Sequence, residues 1–190
     1  ALIYSSFGKI CLYFTPILRI YRLNHSDNHT HFCHINKNCT RYNFCMTPYR
    51  FNYPVSVRYG DLDPQWHVNN TRFLAYSEQA RFAYLMELGL FDGKSFWDLP
   101  LIVADVHCRY LVPIDPGVSV NVFTGVDSIG NKSLVIGTVI TSQDESVIHA
   151  RIETVMVAYD YHSKTSVPVS EELRSIFENY EGKKFPKANS

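Results

Sequence analysis

The stretch Asp61–Asn70, which reads DLDPQWHVNN, gathers many side chains that can do chemistry. It holds two carboxylates, one imidazole and three side-chain amides, two of which belong to adjacent asparagines. A carboxylate can act as a general base towards water or attack a carbonyl carbon directly. The residues that follow predict a long helix, whose N-terminus offers free backbone N–H groups and a positive potential. Placing a carboxylate beside this N-terminus supplies a base or nucleophile together with a group that can stabilise negative charge.

The helix that positions this stretch is predicted from the spacing of its apolar residues. Apolar side chains recur at intervals of three and four along one run: Phe73, Tyr76, Ala80, Ala83, Tyr84 and Leu88. Asn69 and Asn70 are both good N-cap residues, and Gly89 suits the C-terminal end. We therefore predict a helix of about five turns that begins at Asn69 or Asn70 and ends before Gly89.

Strand patterns flank the helix on both sides. Residues 53–58 alternate apolar and polar side chains, and four longer runs follow the helix: Leu101–Leu111, Val118–Asp127, Ser133–Thr141 and Val147–Tyr161. Short turns between the later runs predict hairpins and a mostly antiparallel sheet. A terminal helix is predicted over residues 170–180, with Ser170 as its N-cap. We predict an α+β fold in which one curved, five-stranded sheet wraps the long central helix.

The composition excludes several classes of protein. The 190 residues suit one domain, and the 18 basic residues are balanced by 18 acidic ones, so we expect no nucleic-acid partner. The sequence contains no run of about twenty apolar residues, so we predict no membrane-crossing helix. We expect no membrane partner, no cofactor and no metal at the site, and we expect a cytoplasmic location.

The composition changes abruptly at Met46. Residues 1–45 contain one acidic residue, Asp27, and no Met, together with four cysteines and four histidines: Cys11, Cys33, Cys39, Cys45, His25, His29, His31 and His34. We predict that residues 1–45 are an upstream extension outside the folded domain, which comprises residues 46–190. A transit peptide and a zinc module are the alternatives, although the cysteines are too evenly spread for paired zinc ligands.

The stretch and the order of elements resemble the hotdog fold, and more narrowly the 4-hydroxybenzoyl-CoA thioesterase family of acyl-CoA hydrolases. That family has a strand ending in Arg or an aromatic residue, a D-x-D segment, G-H-V-N-N or a variant, and a helix with Y-x-E-x-A-R. The matching segments here are Arg58-Tyr59, Asp61-Leu62-Asp63, His67–Asn70 and Tyr76–Arg81. The resemblance implies that an acyl-CoA thioester is hydrolysed to a carboxylic acid and free CoA.

The resemblance implies that Asp63 is the catalytic carboxylate, as a general base for water or as a nucleophile. Taken without the surrounding pattern, Asp63 and Pro64 favour a simple turn. His67 would orient the carboxylate or bind substrate, and a structural role bonding the loop backbone is equally consistent with the residues. Asp61 is interpreted as a turn residue or strand terminus, with a catalytic role as the alternative.

Four further residues are assigned to substrate binding. One of Asn69 and Asn70 caps the helix and the other faces the thioester. Trp66 stands where the family has glycine, which permits a positive φ or the close approach of a ligand. The acyl pocket is therefore expected to be reshaped, or the site to be weakened. Lys132 lies in a turn where the resemblance implies contact with the CoA phosphates, and a solvated lysine is the alternative.

Glu78 is the reserve catalytic candidate, because other hotdog thioesterases use a carboxylate on the helix. A salt bridge between Glu78 and Arg81, one turn apart, is the preferred interpretation. The backbone amides of Leu99–Val103 are expected to approach the site.

Two other functions fit the pattern. A hotdog dehydratase would act on hydroxyacyl thioesters with a histidine and an acid, and a non-catalytic protein would bind acyl thioesters with Trp66 filling the site. The unpaired edges of a single sheet also predict a homodimer or homotetramer. The resemblance implies that the active sites lie at subunit boundaries.

Overall fold

The computed structural model describes residues 47–95, 97 and 99–186. In chain order the elements are β1 (Phe51–Ser56), a 3-10 turn (Tyr59–Asp61), α1 (Asn70–Glu87), β2 (Leu101–Tyr110), β3 (Ser119–Ile129), β4 (Ser133–Ser142), β5 (Ile148–Asp160), β6 (Thr165–Ser166) and α2 (Glu171–Glu181). Both predicted helices and the five long strands are confirmed. The predicted extension 1–45, its boundary at Met46 and the cysteine and histidine cluster lie outside the described residues.

The sheet has six strands, so the prediction of five was wrong. Its five long strands follow the order β1-β3-β4-β5-β2, and every neighbouring pair is antiparallel. The sixth strand, β6, pairs with the end of β5, and at two residues it is too short to show an alternating pattern. Pro54 lies within β1, which tolerates it because β1 is at the edge of the sheet.

Local signals set both ends of α1. The side chain of Asn69 caps the helix by accepting hydrogen bonds from the backbone N–H and hydroxyl of Thr71, at 2.9 and 2.8 Å. Gly89 has a φ of +70°, and the N–H groups of Gly89 and Leu90 donate back to Met86 and Leu85. This pair of hydrogen bonds is a Schellman motif, which requires a left-handed residue after the helix and therefore favours glycine there.

Only one side of α1 is covered within the described chain. The buried side consists of Phe73, Tyr76, Ser77, Ala80, Arg81, Tyr84 and Leu85. The opposite side exposes Leu74, Glu78 and Met86. The sheet therefore packs on one side of the helix, so the prediction of a central helix wrapped by the sheet is met only in part.

A chain of hydroxyl groups ties α1 to the middle of the sheet. Ser77 of α1 donates to Thr138 of β4 at 3.2 Å, and Thr138 lies 2.6 Å from the hydroxyl of Thr124 on β3. Thr124 also donates to the carbonyl of Gly137 at 3.1 Å. All of these hydroxyls are buried and bonded, so the contact fixes α1 along the sheet without leaving polar groups unsatisfied.

The terminal helix α2 closes the core at the C-terminal end of α1. Ser170 caps it, as predicted, by accepting from the N–H of Leu173 at 3.1 Å. Phe177 of α2 stacks on Tyr84 of α1 with ring centroids 6.3 Å apart. The Tyr84 hydroxyl donates to Glu181, and burial and this carboxylate both raise the pKa of Tyr84. Tyr180 of α2 also meets the Tyr84 ring edge-on, so the two helices are joined by aromatic packing and by a hydrogen bond.

A pair of glycines makes room for an aromatic ring on the sheet. Gly125 of β3 and Gly137 of β4 are cross-strand partners. The ring of Tyr49 lies over them, and its hydroxyl donates to both carboxylate oxygens of Asp127, at 2.9 and 3.0 Å. A Cβ atom at Gly137 would overlap the Tyr49 hydroxyl and the Asp127 carboxylate. The absence of a side chain at Gly137 is therefore a packing requirement.

We expect Gly137→Ala to lower the free energy of unfolding by about 1–3 kcal/mol, the usual cost of an overpacked site. Urea denaturation followed by far-UV circular dichroism measures it. Gly60→Ala is the matched control, because nothing lies within 4 Å of a Cβ atom there. An equal loss of stability in both variants would contradict the packing argument.

Candidate active site

The segment that leads into α1 is held by the buried carboxylate of Asp61. One oxygen accepts the backbone N–H of Arg58 at 2.9 Å and the hydroxyl of Tyr76 at 2.8 Å. The other lies 3.4 Å from Nε of Arg72. The carbonyl of Asp61 accepts the N–H of Asn69 at 2.8 Å, so the same residue holds both the exit of β1 and the start of α1.

Asp63 organises the loop between the 3-10 turn and α1. Its Oδ1 accepts the backbone N–H groups of Gln65 at 2.8 Å and His67 at 3.4 Å. Its own N–H donates to the carbonyl of His67 at 2.9 Å, and Leu62 and Val68 form a bridge just outside this loop. Within the described residues no group donates to Oδ2 of Asp63. The turn predicted for Asp63 is therefore present, and one carboxylate oxygen remains for chemistry.

Trp66 adopts the backbone conformation that explains the family's glycine. Its φ is +62°, in the left-handed region that side chains other than glycine enter at a cost of about 1–2 kcal/mol. Its side chain is 62 % exposed and touches the ring of Tyr59 edge-on, with centroids 6.4 Å apart. The indole therefore points outward and does not fill the loop.

Tyr59, Asp63 and Trp66 line one open depression of about 340 Å³. Gly60, Leu62 and Pro64 complete its wall. The depression combines two exposed aromatic rings with a carboxylate that is fixed on one side only. Its volume is at the lower end of the range for small-molecule pockets, so it can hold part of a small ligand beside the Asp63 carboxylate.

The first turn of α1 is the other polar component of the site. Of the two candidate caps, Asn69 is the N-cap, and its side chain is occupied by Thr71. Arg72 donates its N–H to the carbonyl of Asn69 at 2.8 Å. Asn70 is exposed, and among the described residues its backbone N–H has no acceptor. Sequence reasoning recognised the helix N-terminus but had no signal for which N–H remains free.

His67 is partly exposed, and among the described residues its side chain lies near the Asp115 carboxylate. The distance from Nε2 to the Asp115 carboxylate is 4.0 Å, and both side chains are largely accessible. The backbone of His67, rather than its ring, provides the contact with Asp63. This agrees with the structural interpretation of His67, and a contact of the ring with substrate stays a prediction.

Glu78 lies on the exposed side of α1, where its carboxylate is 3.8 Å from the guanidinium of Arg81. The predicted pairing within the helix is therefore confirmed. Arg81 itself is buried above the ring of Phe82, and burial lowers its pKa while Glu78 raises it. Among the described residues the Nε of Arg81 has no hydrogen-bond partner. A catalytic role for Glu78 stays the reserve hypothesis.

Lys132 lies in the turn between β3 and β4. Its ammonium group donates to the carbonyl of Ser166 at 3.3 Å and approaches the Ser166 hydroxyl at 3.5 Å. The lysine is thus tied to β6, and its contact with CoA phosphates stays a prediction.

Within one chain it is the end of β2, not its beginning, that reaches the start of α1. The hydroxyl of Tyr110 donates to the carbonyl of Asn70 at 3.1 Å, and its ring meets Phe73 edge-on at 5.2 Å. Leu99 and Leu101 instead pack in the cluster that surrounds the C-terminal half of α1. The expectation for Leu99–Val103 is therefore not met within a single chain, because β2 starts beside the end of the helix.

Comparison with known proteins identifies the class. Residues 57–177 match the model of the Thioesterase-like superfamily, so the chain belongs to that superfamily. A thioesterase from Thermus thermophilus, solved with coenzyme A and zinc, is 30 % identical with a TM-score of 0.64, over 73 % of this chain and 99 % of that one. A thioesterase superfamily protein from Jannaschia has the same fold, with a TM-score of 0.63 at 24 % identity over 73 % of this chain and 87 % of its own.

Among curated proteins, the long-chain acyl-CoA thioesterase FadM of Escherichia coli is 25 % identical over 124 residues. The match covers 65 % of this chain and 94 % of FadM. The prediction of a hotdog thioester hydrolase is confirmed at the level of the superfamily. The narrower resemblance to the 4-hydroxybenzoyl-CoA family stays a prediction.

The described part of the chain has neither a candidate metal centre nor a candidate membrane-spanning helix. No three residues among its His, Cys, Asp and Glu side chains lie close enough together to hold a metal ion. No helix in residues 47–95, 97 and 99–186 combines the length and apolar character needed to cross a membrane.

The left-handed backbone at Trp66 makes a prediction about stability. We expect Trp66→Gly to be more stable than Trp66→Ala by about 1 kcal/mol, because both remove the indole but only glycine adopts a positive φ without strain. Denaturant midpoints of the two variants measure the difference. Equal midpoints would show that the loop changes its conformation when the indole is removed.

Proposed function

We propose that this protein hydrolyses acyl-CoA thioesters and that Asp63 is the catalytic carboxylate. The observation that carries the proposal is the setting of Asp63 at the depression. Two backbone N–H groups hold its Oδ1, and its Oδ2 is left open in the loop that precedes the N-terminus of α1. A carboxylate held in this way has a fixed orientation and still has one oxygen that can accept a proton.

In the general-base route, Oδ2 of Asp63 takes a proton from water as the water oxygen attacks the thioester carbonyl carbon. The carbonyl oxygen becomes negative and is stabilised by the free N–H of Asn70 and the positive end of α1. The C–S bond then breaks, and the departing thiolate receives the proton. In the nucleophilic route Asp63 attacks the carbon itself, expels the thiolate and forms a mixed anhydride that water hydrolyses. Both routes use the same geometry.

The position of Trp66 supports an enzyme over a non-catalytic binding protein. That alternative required Trp66 to fill the site, whereas the indole is largely exposed at the rim of the depression. The dehydratase alternative requires the His67 ring to act together with the carboxylate of Asp63. Among the described residues the ring lies near Asp115 instead. Release of free thiol from a panel of acyl-CoA substrates distinguishes hydrolysis from both alternatives.

We expect Asp63→Asn to reduce kcat by about two to four orders of magnitude, as loss of a positioned general base does. The amide oxygen of Asn still accepts the N–H groups of Gln65 and His67, so the melting temperature should be nearly unchanged. Thiol release with a chromogenic reagent measures the rate. The matched control is Glu78→Gln, which removes an exposed carboxylate outside the depression. Near-native kcat in Asp63→Asn, with loss in Glu78→Gln, would transfer the role to Glu78.

We also propose that two copies pair along β2 to form a homodimer. β2 is a ten-residue edge strand with exposed apolar side chains: Ile102, Val103, Val106 and Tyr110. Such an edge carries unpaired backbone groups that a second copy satisfies. A twofold axis makes the paired strands antiparallel, so the Leu101 end of the second copy lies beside the Tyr110 end of the first. The backbone expected to approach the site would then come from the partner.

The charges on β2 support one register. Pairing centred on His107 places Asp105 of each copy opposite Arg109 of the other, which gives two opposite-charge pairs. Within the chain, Arg109 is the cross-strand partner of Arg151, and like charges in that position repel. No ion pair joins Asp105 or Arg109 to another described residue.

We expect Asp105→Arg to raise the dimer dissociation constant about tenfold or more, because each new arginine faces an arginine of the partner. Adding Arg109→Asp in the same chain restores opposite charges and should recover the dimer. Sedimentation velocity over a concentration series measures both. A wild-type monomer would contradict the dimer, and a double variant that dimerises no better than the single one would contradict this register.

Assembly into a tetramer and a cytoplasmic location stay predictions of the sequence.

A further inference from the structure

A second depression, of about 260 Å³, lies between β1 and the N-terminal half of α1. Arg58, Asp61 and Arg72 line it, together with the polar side chains of Ser56 and Gln79. The chain as a whole has no net charge, so two guanidinium groups in one small depression are a local feature and not part of a generally basic surface.

The hydrogen bonds show which charges are already used by the fold. The carboxylate of Asp61 is buried and bonded to the N–H of Arg58, the hydroxyl of Tyr76 and Nε of Arg72. Arg72 also donates to the carbonyl of Gly60 at 3.1 Å. The guanidinium of Arg58 is exposed and has no acceptor or ion-pair partner among the described residues. With two cations and one anion, the depression keeps one positive charge, and Arg58 is the group free to use it.

We propose that this depression binds a phosphate group of the CoA part of the substrate, with Arg58 as the main contact. A guanidinium group presents paired N–H donors that match phosphate oxygens. This inference rests on the proposed function, which supplies the ligand. It assigns the phosphate to Arg58, whereas the ammonium group of Lys132 is held by Ser166.

The chain connects the two depressions directly. Arg58 and Asp61 line the second depression, and Asp63 lines the first. Five peptide links separate Arg58 from Asp63, so their Cα atoms are at most about 18 Å apart. A ligand that uses both sites needs an uncharged reacting end and an anionic end joined by a linker. An acyl-CoA has this form, because the pantetheine arm separates the thioester from the phosphates.

The test compares two thioesters of the same acid, one with CoA and one with pantetheine, which has no phosphate. We expect Arg58→Glu to lower kcat/KM for the acyl-CoA about tenfold, mainly through KM, and to leave the acyl-pantetheine unchanged. Arg58→Lys should retain most of the activity towards acyl-CoA. The backbone N–H that binds Asp61 is present in every variant, and melting temperatures confirm that each is folded.

Lys164→Glu is the charge-matched control, because it makes the same change in net charge on an exposed turn outside the depression. It should leave both substrates unaffected. Equal effects of Arg58→Glu on the two substrates, or no effect on acyl-CoA, would overturn the inference while leaving hydrolysis established. Altered inhibition by inorganic phosphate without altered acyl-CoA kinetics would also overturn it, by assigning the depression to a free anion. A wild-type protein that hydrolyses neither substrate would instead refute the proposed function and this inference with it.

Discussion

The buried carboxylate of Asp61 is the interaction on which the arrangement of the site depends. It joins the end of β1 to Tyr76 and Arg72 of α1, and its backbone carbonyl binds the residue that caps the helix. A buried charge is tolerated only when it is paired and hydrogen-bonded, and Asp61 meets both conditions. Removing a partner would leave a costly unpaired group, so the loop that follows is held in one position. Asp63 is placed beside the start of α1 as a result.

This division of labour gives the two aspartates of the D-x-D segment different tasks. Both carboxylate oxygens of Asp61 are bonded within the fold. Asp63 uses one oxygen to bind its own loop, and its other oxygen has no donor among the described residues. The loop also holds Trp66 in a left-handed conformation, where its exposed indole adds little to the core. Backbone strain of this kind is typical of functional sites. The proposed catalytic residue Asp63 and the proposed phosphate-binding residue Arg58 therefore flank Asp61 in the sequence.

Among the described residues, two apolar surfaces are left uncovered. One is the edge of β2, and the other is the side of α1 that exposes Leu74 and Met86. Antiparallel pairing along β2 would bring the beginning of the partner's strand to the start of α1, where Tyr110 ends. The proposed dimer thus completes the sheet and adds backbone to the site by the same contact.

The sequence by itself determined the features that are local. These features depend on side chains that are close in the sequence: the cap at Ser170, a cap of α1 at Asn69 or Asn70, the glycine after α1 and the alternation of the long strands. Only the tertiary structure decided the burial of Asp61, the recess of Gly125 and Gly137 beneath Tyr49, the pairing of β6, and which end of β2 meets α1. Periodicity reports which face of one element is buried, whereas these contacts depend on the register and direction in which distant elements meet.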